Sequence, residues 1–143
     1  MTAPLRPMMQ RDRASAALGM QVQLDEPGEA VVSMVVRPEM LNGFDITHGG
    51  FVFALADTTF AIACNEGDHV TVASGAEITF LKATREGQTL TAHARRRVVS
   101  GRTGLYDVTV TDETGDVVAE FRGRSRVTGS LTAPAVAPSA SEI

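Results

Sequence analysis

Polar and apolar positions change rhythm several times along this chain, and each rhythm predicts an element. Met20, Val22 and Leu24 alternate with Gln21, Gln23 and Asp25, the period of two expected of a half-buried strand. Asp25-Glu26-Pro27-Gly28 reads as a turn. Ala30, Val32, Met34 and Val36 then hold one apolar face until Pro38, which has no N–H to give to a sheet. Ahead of these strands a short helix is expected over residues 9–18, with Gly19 as its left-handed C-terminal cap. A loop over 39–48, with Asn42-Gly43 inside it, leads to a stretch unlike the rest. From 49 to 64, Phe51, Val52, Phe53, Leu55, Phe60 and Ile62 point in all directions around a helical wheel, and a helix apolar on every side is a buried helix. The Thr47 hydroxyl is expected to cap it, and Gly67 closes the region. Four further strands are predicted at 70–82, 88–99, 103–111 and 117–128, separated by Glu86-Gly87, Ser100-Gly101 and Thr114-Gly115. Connections that short predict an antiparallel meander.

The sum is an α+β domain, an antiparallel sheet wrapped around one long buried central helix. A sheet wrapped on one side leaves its other face and its edges to be covered, so a homo-oligomer is expected. The 143 residues fit one domain, placed at 13–129 between a flexible N-terminus (1–12) and an Ala/Pro/Ser-rich tail (130–143) too poor in core residues to fold. With 43% hydrophobic and 21% charged residues the profile is globular. The net charge of −4 argues against nucleic acid, which asks for a basic face. Cys64 is the one cysteine and has no intramolecular partner, which fits a reducing compartment. Residues 1–13 carry Pro4, Pro7 and three arginines and lack the apolar run of an export signal. The longest apolar stretch, 51–64, falls short of the roughly 20 residues that span a bilayer, and Asp57 interrupts it. A cytoplasmic protein without membrane contact is expected.

Asp57 is a charge in the wrong place. A carboxylate in an apolar interior is paired, protonated or solvated. Either it bonds a backbone group or borders a wet interface, or it is a general base or nucleophile in a cleft. His48-Gly49-Gly50 stands where the helix begins. Helix N-termini present unpaired N–H groups and the positive dipole end, glycine lets a ligand approach that backbone, and together they can polarise a carbonyl. Taken alone, the same tripeptide reads as an ordinary glycine turn. Gly49 and Asp57 lie eight residues apart, about 12 Å along a helix, so one carbonyl cannot touch both in the same chain. If both serve one reaction, they come from two subunits related by a two-fold axis, with two equivalent sites per dimer.

Met40-Leu41-Asn42-Gly43, His48-Gly49-Gly50, Leu55-Ala56-Asp57-Thr58 and Ala63-Cys64-Asn65 resemble the phenylacetate-degradation thioesterases of the hotdog superfamily, the PaaI type. Val72-Ala73-Ser74, Ile78-Thr79-Phe80-Leu81 and Phe121-Arg122-Gly123 fit the same pattern, so the resemblance covers residues 14–129. It implies a hotdog fold, assembled as a dimer of dimers with active sites across the subunit interface. It also implies hydrolysis of acyl-CoA thioesters, of the (hydroxy)phenylacetyl-CoA type or related ones, with no cofactor and no metal, coenzyme A being part of the substrate. By the same resemblance Gly49 offers its N–H to the thioester carbonyl. Asp57 of the partner subunit attacks or activates water. Asn42 and His48 orient the loop or contact the acyl group, and Thr58 lies beside the carboxylate. Gly50, Phe51, Ser74, Phe80, Lys82 and Arg122 are the expected substrate contacts. Phe44-Asp45-Ile46-Thr47 departs from the pattern and is expected to border the acyl pocket.

The remaining candidates have plainer readings. His69 and His93 have no partners at metal-ligand spacing. Cys64, on the apolar helix, reads as a small buried hydrophobe. Ser74 lacks the adjacent base a serine nucleophile needs and reads as a hydrogen-bond partner. Arg122, Arg124 and Arg126 share one strand face, as do Arg95 and Arg97. They are a solvated face or a grip on CoA phosphates, which arginine suits; Lys82 is a second candidate for that grip. Two other activities fit the fold: a dehydratase or isomerase, for which His48 is the histidine at hand, and a non-catalytic acyl-CoA binding module, which leaves Asp57 without a purpose.

Overall fold

Six antiparallel strands form one sheet, and the computed structural model describes it within residues 5–67 and 69–129. The strands are β1 (Gln21–Glu26), β2 (Glu29–Val35), β3 (Thr71–Phe80), β4 (Thr89–Ser100), β5 (Thr103–Thr111) and β6 (Val117–Val127). Across the sheet they run β1-β2-β4-β5-β6-β3. The predicted meander therefore holds only for β4, β5 and β6. β3 lies at the far edge against β6, with Ile78 opposite Phe121, and the chain crosses over residues 81–88 to reach β4. The turns themselves are where the glycines put them, and Gly28, Gly87, Gly101 and Gly115 all have positive φ. The expected tail, 130–143, lies outside the described residues.

The N-terminal helix is two pieces, α1 (Pro7–Gln10) and α2 (Arg13–Ala17). The break falls at Asp12, which leaves helical geometry to cap α2: its carboxylate accepts from Ser15 N. Within the segment expected to be flexible, Met9 is buried. Arg6 there donates to the carbonyls of Ile62 and Asn65, at the C-terminus of the long helix α3 (Gly49–Cys64), where a cation suits the helix dipole.

α3 lies across the sheet. Val52, Leu55, Ala56, Thr59, Phe60, Ile62 and Ala63 are buried against Ala30, Val32 and Met34 of β2, Leu90, Ala92 and Ala94 of β4, and Val108 and Val110 of β5. Burying one Phe60-sized side chain is worth about 1.5–3 kcal/mol. Phe60 tilts onto Tyr106 and Phe121. Gly123 of β6 runs directly beneath it, where a Cβ would meet ring carbons at 2.7 Å. The helix is not buried all round by its own chain: Gly50, Ala54, Asp57, Thr58 and Ala61 form a stripe left half-open or exposed. Burial tracks which side faces the sheet, not hydrophobicity, which is high on every side.

Candidate active site

The loop ahead of α3 is shaped by Asn42 and fastened at its neck. The Asn42 side-chain oxygen accepts from Phe44 N at 2.9 Å and Ile46 N at 3.4 Å, an Asx-type turn, and Asp45 takes φ 59° within it. Leu41 and Thr47 pair at the neck, and His48 N donates to the Met40 carbonyl at 2.8 Å. Asn42 thus orients the loop, and Phe44 stands exposed at its tip.

His48, not Thr47, caps α3. Its Nδ1 accepts from Gly50 N at 2.9 Å, which makes the proton-bearing nitrogen Nε2. Thr47 is turned away: its hydroxyl bonds the Thr84 hydroxyl at 2.7 Å and its N–H donates to the Thr84 carbonyl at 2.8 Å. The Phe51 N–H is taken by the His48 carbonyl. That leaves Gly49 N–H as the outermost amide of the helix, with no acceptor among the described residues. The Phe80 ring walls it, and a Cβ on Gly49 would sit 2.9 Å from the ring's Cζ. Gly50 is exposed beside it, and Phe51 lies half-buried under the His48 ring with centroids 6.1 Å apart.

Asp57 is half-buried on the open stripe of α3. Burial pushes its carboxyl pKa up, and the Asp12 carboxylate adds to the rise; among the described residues no hydrogen bond offsets either. Thr58 bonds the Ser15 hydroxyl at 2.8 Å, and Ser15 donates to Asp12 at 2.7 Å. A carboxylate can only accept, so Ser15 spends its proton on Asp12 and Thr58 donates to Ser15. The chain of bonds ties Thr58 through Ser15 to Asp12 rather than to Asp57, and Thr58 presents lone pairs rather than a proton to anything else nearby. Asp12 and Ser15 were invisible to sequence reasoning, because only packing brings α2 against α3.

The expected substrate contacts part company. Phe80 borders Gly49. Ser74 sits at a bulge in β3 and donates to the Arg124 carbonyl at 3.2 Å. Arg122 grips Asp107 with two bonds, 2.7 and 3.1 Å, on the sheet face away from α3, and Arg124 pairs with Glu77 at 3.0 Å. Lys82 lies between Asp112 (2.5 Å) and Asp116 (2.8 Å). Cys64 is buried, and burial pushes its thiol up to about 12, so it is no nucleophile. Among the described residues no cluster of His, Cys, Asp or Glu could hold a metal ion, and no helix is long and apolar enough to cross a membrane.

An antiparallel sheet wrapped around one long helix is the hotdog arrangement, and here the helix carries at its start an amide and at mid-length a carboxylate that have no partner among the described residues. The thioesterase superfamily model matches residues 44–119, from the loop ahead of α3 into β6, and the chain belongs to that superfamily. The acyl-coenzyme A thioesterase PaaI of Escherichia coli (strain K12) is 43% identical over 129 residues, 90% of this chain and 92% of that protein. The structure of the E. coli PaaI protein, from the phenylacetic acid degradation operon, matches with a TM-score of 0.84 at 42% identity, over 87% of this chain and 90% of the other. A Streptococcus mutans UA159 protein bound to acetyl-CoA matches at a TM-score of 0.74 and 28% identity, over 78% of this chain and 90% of the other.

Proposed function

We propose that this thioesterase hydrolyses aryl-acetyl-CoA or related acyl-CoA thioesters to the free acid and CoA, with Asp57 as base or nucleophile and Gly49 N–H polarising the carbonyl. The single observation that carries this is the Asp57 carboxylate, half-buried, its pKa raised and with no donor among the described residues. Such a group is costly to the fold and useful to a reaction. The kinship to the E. coli acyl-CoA thioesterase supports the substrate class. In hydrolysis the thioester carbonyl gains negative charge as water or the carboxylate attacks; an N–H at a helix N-terminus stabilises that charge without reorganising. The attacked carbon then expels the CoA thiolate. If the carboxylate attacks first, a mixed anhydride forms and water cleaves it; if it acts as base, water adds in one step. The Phe80 and Phe51 rings beside Gly49 suit an aryl group.

The site is completed by a second copy. Gly49 and Asp57 stand about 12 Å apart along α3, and both lie on its half-open or exposed side. β3 is an edge strand that pairs with β6 alone, an open row of donors and acceptors. Two copies joined along β3 with α3 antiparallel to its mate would set Gly49 of one opposite Asp57 of the other, and further pairing of dimers would cover the remaining sheet face. We place the enzyme in the cytoplasm, where acyl-CoA substrates are made and where a lone cysteine stays reduced.

The experiment is thiol release from a panel of acyl-CoAs, aryl-acetyl and straight-chain, by wild type and Asp57→Ala. Turnover by wild type that falls by roughly 10²-fold or more in the variant is the expected result. No turnover on any ester despite binding would mean an acyl-CoA binding module. A product that keeps its CoA while a double bond is lost or moved would mean a dehydratase or isomerase.

A further inference from the structure

The thioester-polarising amide of Gly49 hangs on a crossing segment of the chain, and Lys82 is where that segment is pinned. β3 and β4 are three positions apart in the sheet, so residues 81–88 must pass over the end where β5 turns into β6. That turn, residues 112–116, grips the passing chain twice. Lys82 Nζ sits between the carboxylates of Asp112 and Asp116, at 2.5 and 2.8 Å, and Gln88 donates to Glu113 at 2.8 Å. Asp112 is buried, which would be costly for an unsatisfied carboxylate. Its other oxygen accepts from Thr114 N, the Thr114 hydroxyl and Asp116 N, at 2.9, 2.6 and 3.2 Å, so the turn holds it in one orientation. The Lys82 and Leu81 backbone amides both donate to the Val118 carbonyl.

Two residues after Lys82, the segment reaches the loop ahead of α3. Thr84 is buried, and it holds Thr47 by carbonyl and by hydroxyl at once, at 2.8 and 2.7 Å. Thr47 is two residues from Gly49. The path from Asp112 through Lys82, Thr84 and Thr47 to Gly49 is therefore continuous, made of bonded neighbours or short runs of backbone. Two of the three Lys82 N–H donors are spent on Asp112 and Asp116, and the paired carboxylates surround the ammonium with negative charge that offsets its pull on a phosphate.

We propose that Lys82 and Asp112 are positioning residues for the Gly49 amide, acting through Thr84 and Thr47, and not a contact for the phosphates of coenzyme A. This rests on the proposed role of Gly49 in thioester hydrolysis. A displaced oxyanion donor costs rate at the chemical step, and misplacement by about 1 Å can cost 10²-fold. A lost phosphate contact costs binding of the CoA moiety instead.

The two are separated by running each variant on an acyl-CoA and on the same acyl group as its N-acetylcysteamine thioester, which has no phosphate. Lys82→Met, Asp112→Asn and Thr84→Val are each expected to lower kcat about tenfold or more on both esters, with KM for the CoA ester within about threefold of wild type and with rescue by Lys82→Arg. A Lys82→Met effect confined to KM for the CoA ester, with the truncated ester untouched, would assign Lys82 to phosphate and overturn the proposal. So would variants that lower Tm but keep wild-type kcat when folded. Amide hydrogen exchange over residues 47–51 is measured alongside and needs no activity. It is expected to quicken in Lys82→Met and Asp112→Asn; unchanged exchange would overturn the coupling itself. Wild type that turns over neither ester would sink the thioesterase reading instead, and the exchange data would still decide the coupling.

Discussion

At the scale of the residue, Asp57 is held at a cost. The folded chain binds its proton more tightly than the unfolded chain, because burial and Asp12 raise its pKa above the ordinary 3.8. Stability from such a group is fully present below the ordinary value and is lost as pH rises through the raised one. Asp57→Asn removes that loss. Its Tm should therefore exceed that of wild type at neutral pH, and the gap should close below about pH 4; a gap that does not vary with pH in a thermal melt series would mean the carboxylate is solvated. In the proposed mechanism Asp57 acts in its ionised form, so kcat/KM should fall on the acid side at a pH above that of an ordinary aspartate. Cys64 provides a contrast. Its buried thiol, pushed up to about 12, should resist iodoacetamide at pH 8 in the native protein and react fully once unfolded, as read by mass spectrometry.

Between elements, the close approaches decide which substitutions the fold forgives. Gly123 and Gly49 both face rings, with opposite expectations. At Gly123 an added Cβ would press on Phe60, which is 1% exposed and locked between Tyr106 and Phe121. Gly123→Ala should cost about 1–3 kcal/mol in a denaturant titration. At Gly49 the clash is with Phe80, 53% exposed and free to swing. Gly49→Ala should melt near wild type and lose activity, because the ring and methyl crowd the amide. Equal stability losses at the two sites would show that the Phe80 ring is not free to move. The helix itself was legible from its apolar run, and so was its start at the His-Gly-Gly turn. Its cap was not. Thr47 has the better capping chemistry, but Thr84 claims it across a crossing segment whose path no local pattern encodes.

For the molecule as a whole, the proposed second copy would cover the open stripe of α3 and the edge of β3 that no strand pairs among the described residues. If each site takes Gly49 from one subunit and Asp57 from the other, mixing Gly49→Ala chains with Asp57→Ala chains rebuilds one intact site in each heterodimer. Random reassortment makes half the dimers mixed, so about a quarter of wild-type activity should return. No recovery on mixing, with heterodimers confirmed by native mass spectrometry, would place both groups in one chain's site. The N-terminal segment belongs to this scale as well, since Arg6 and Ser15 reach α3 across the sequence.

The strand faces, the glycine turns, the all-apolar helix and the misplaced Asp57 were legible along the chain, because period, turn chemistry and the cost of a buried charge are local properties. The sequence also carried the His-Gly-Gly and Leu-Ala-Asp-Thr stretches on which the resemblance to the family rests. Tertiary structure alone decided the strand order, since antiparallel strands of similar pattern can pair in several orders and the choice rests on how the sheet closes over α3. It decided which side of α3 stays open. It also decided the partners of Lys82, Arg122 and Thr58: a charged or hydroxyl side chain shows its chemistry in sequence, while the group it meets is set by packing between segments far apart in the chain.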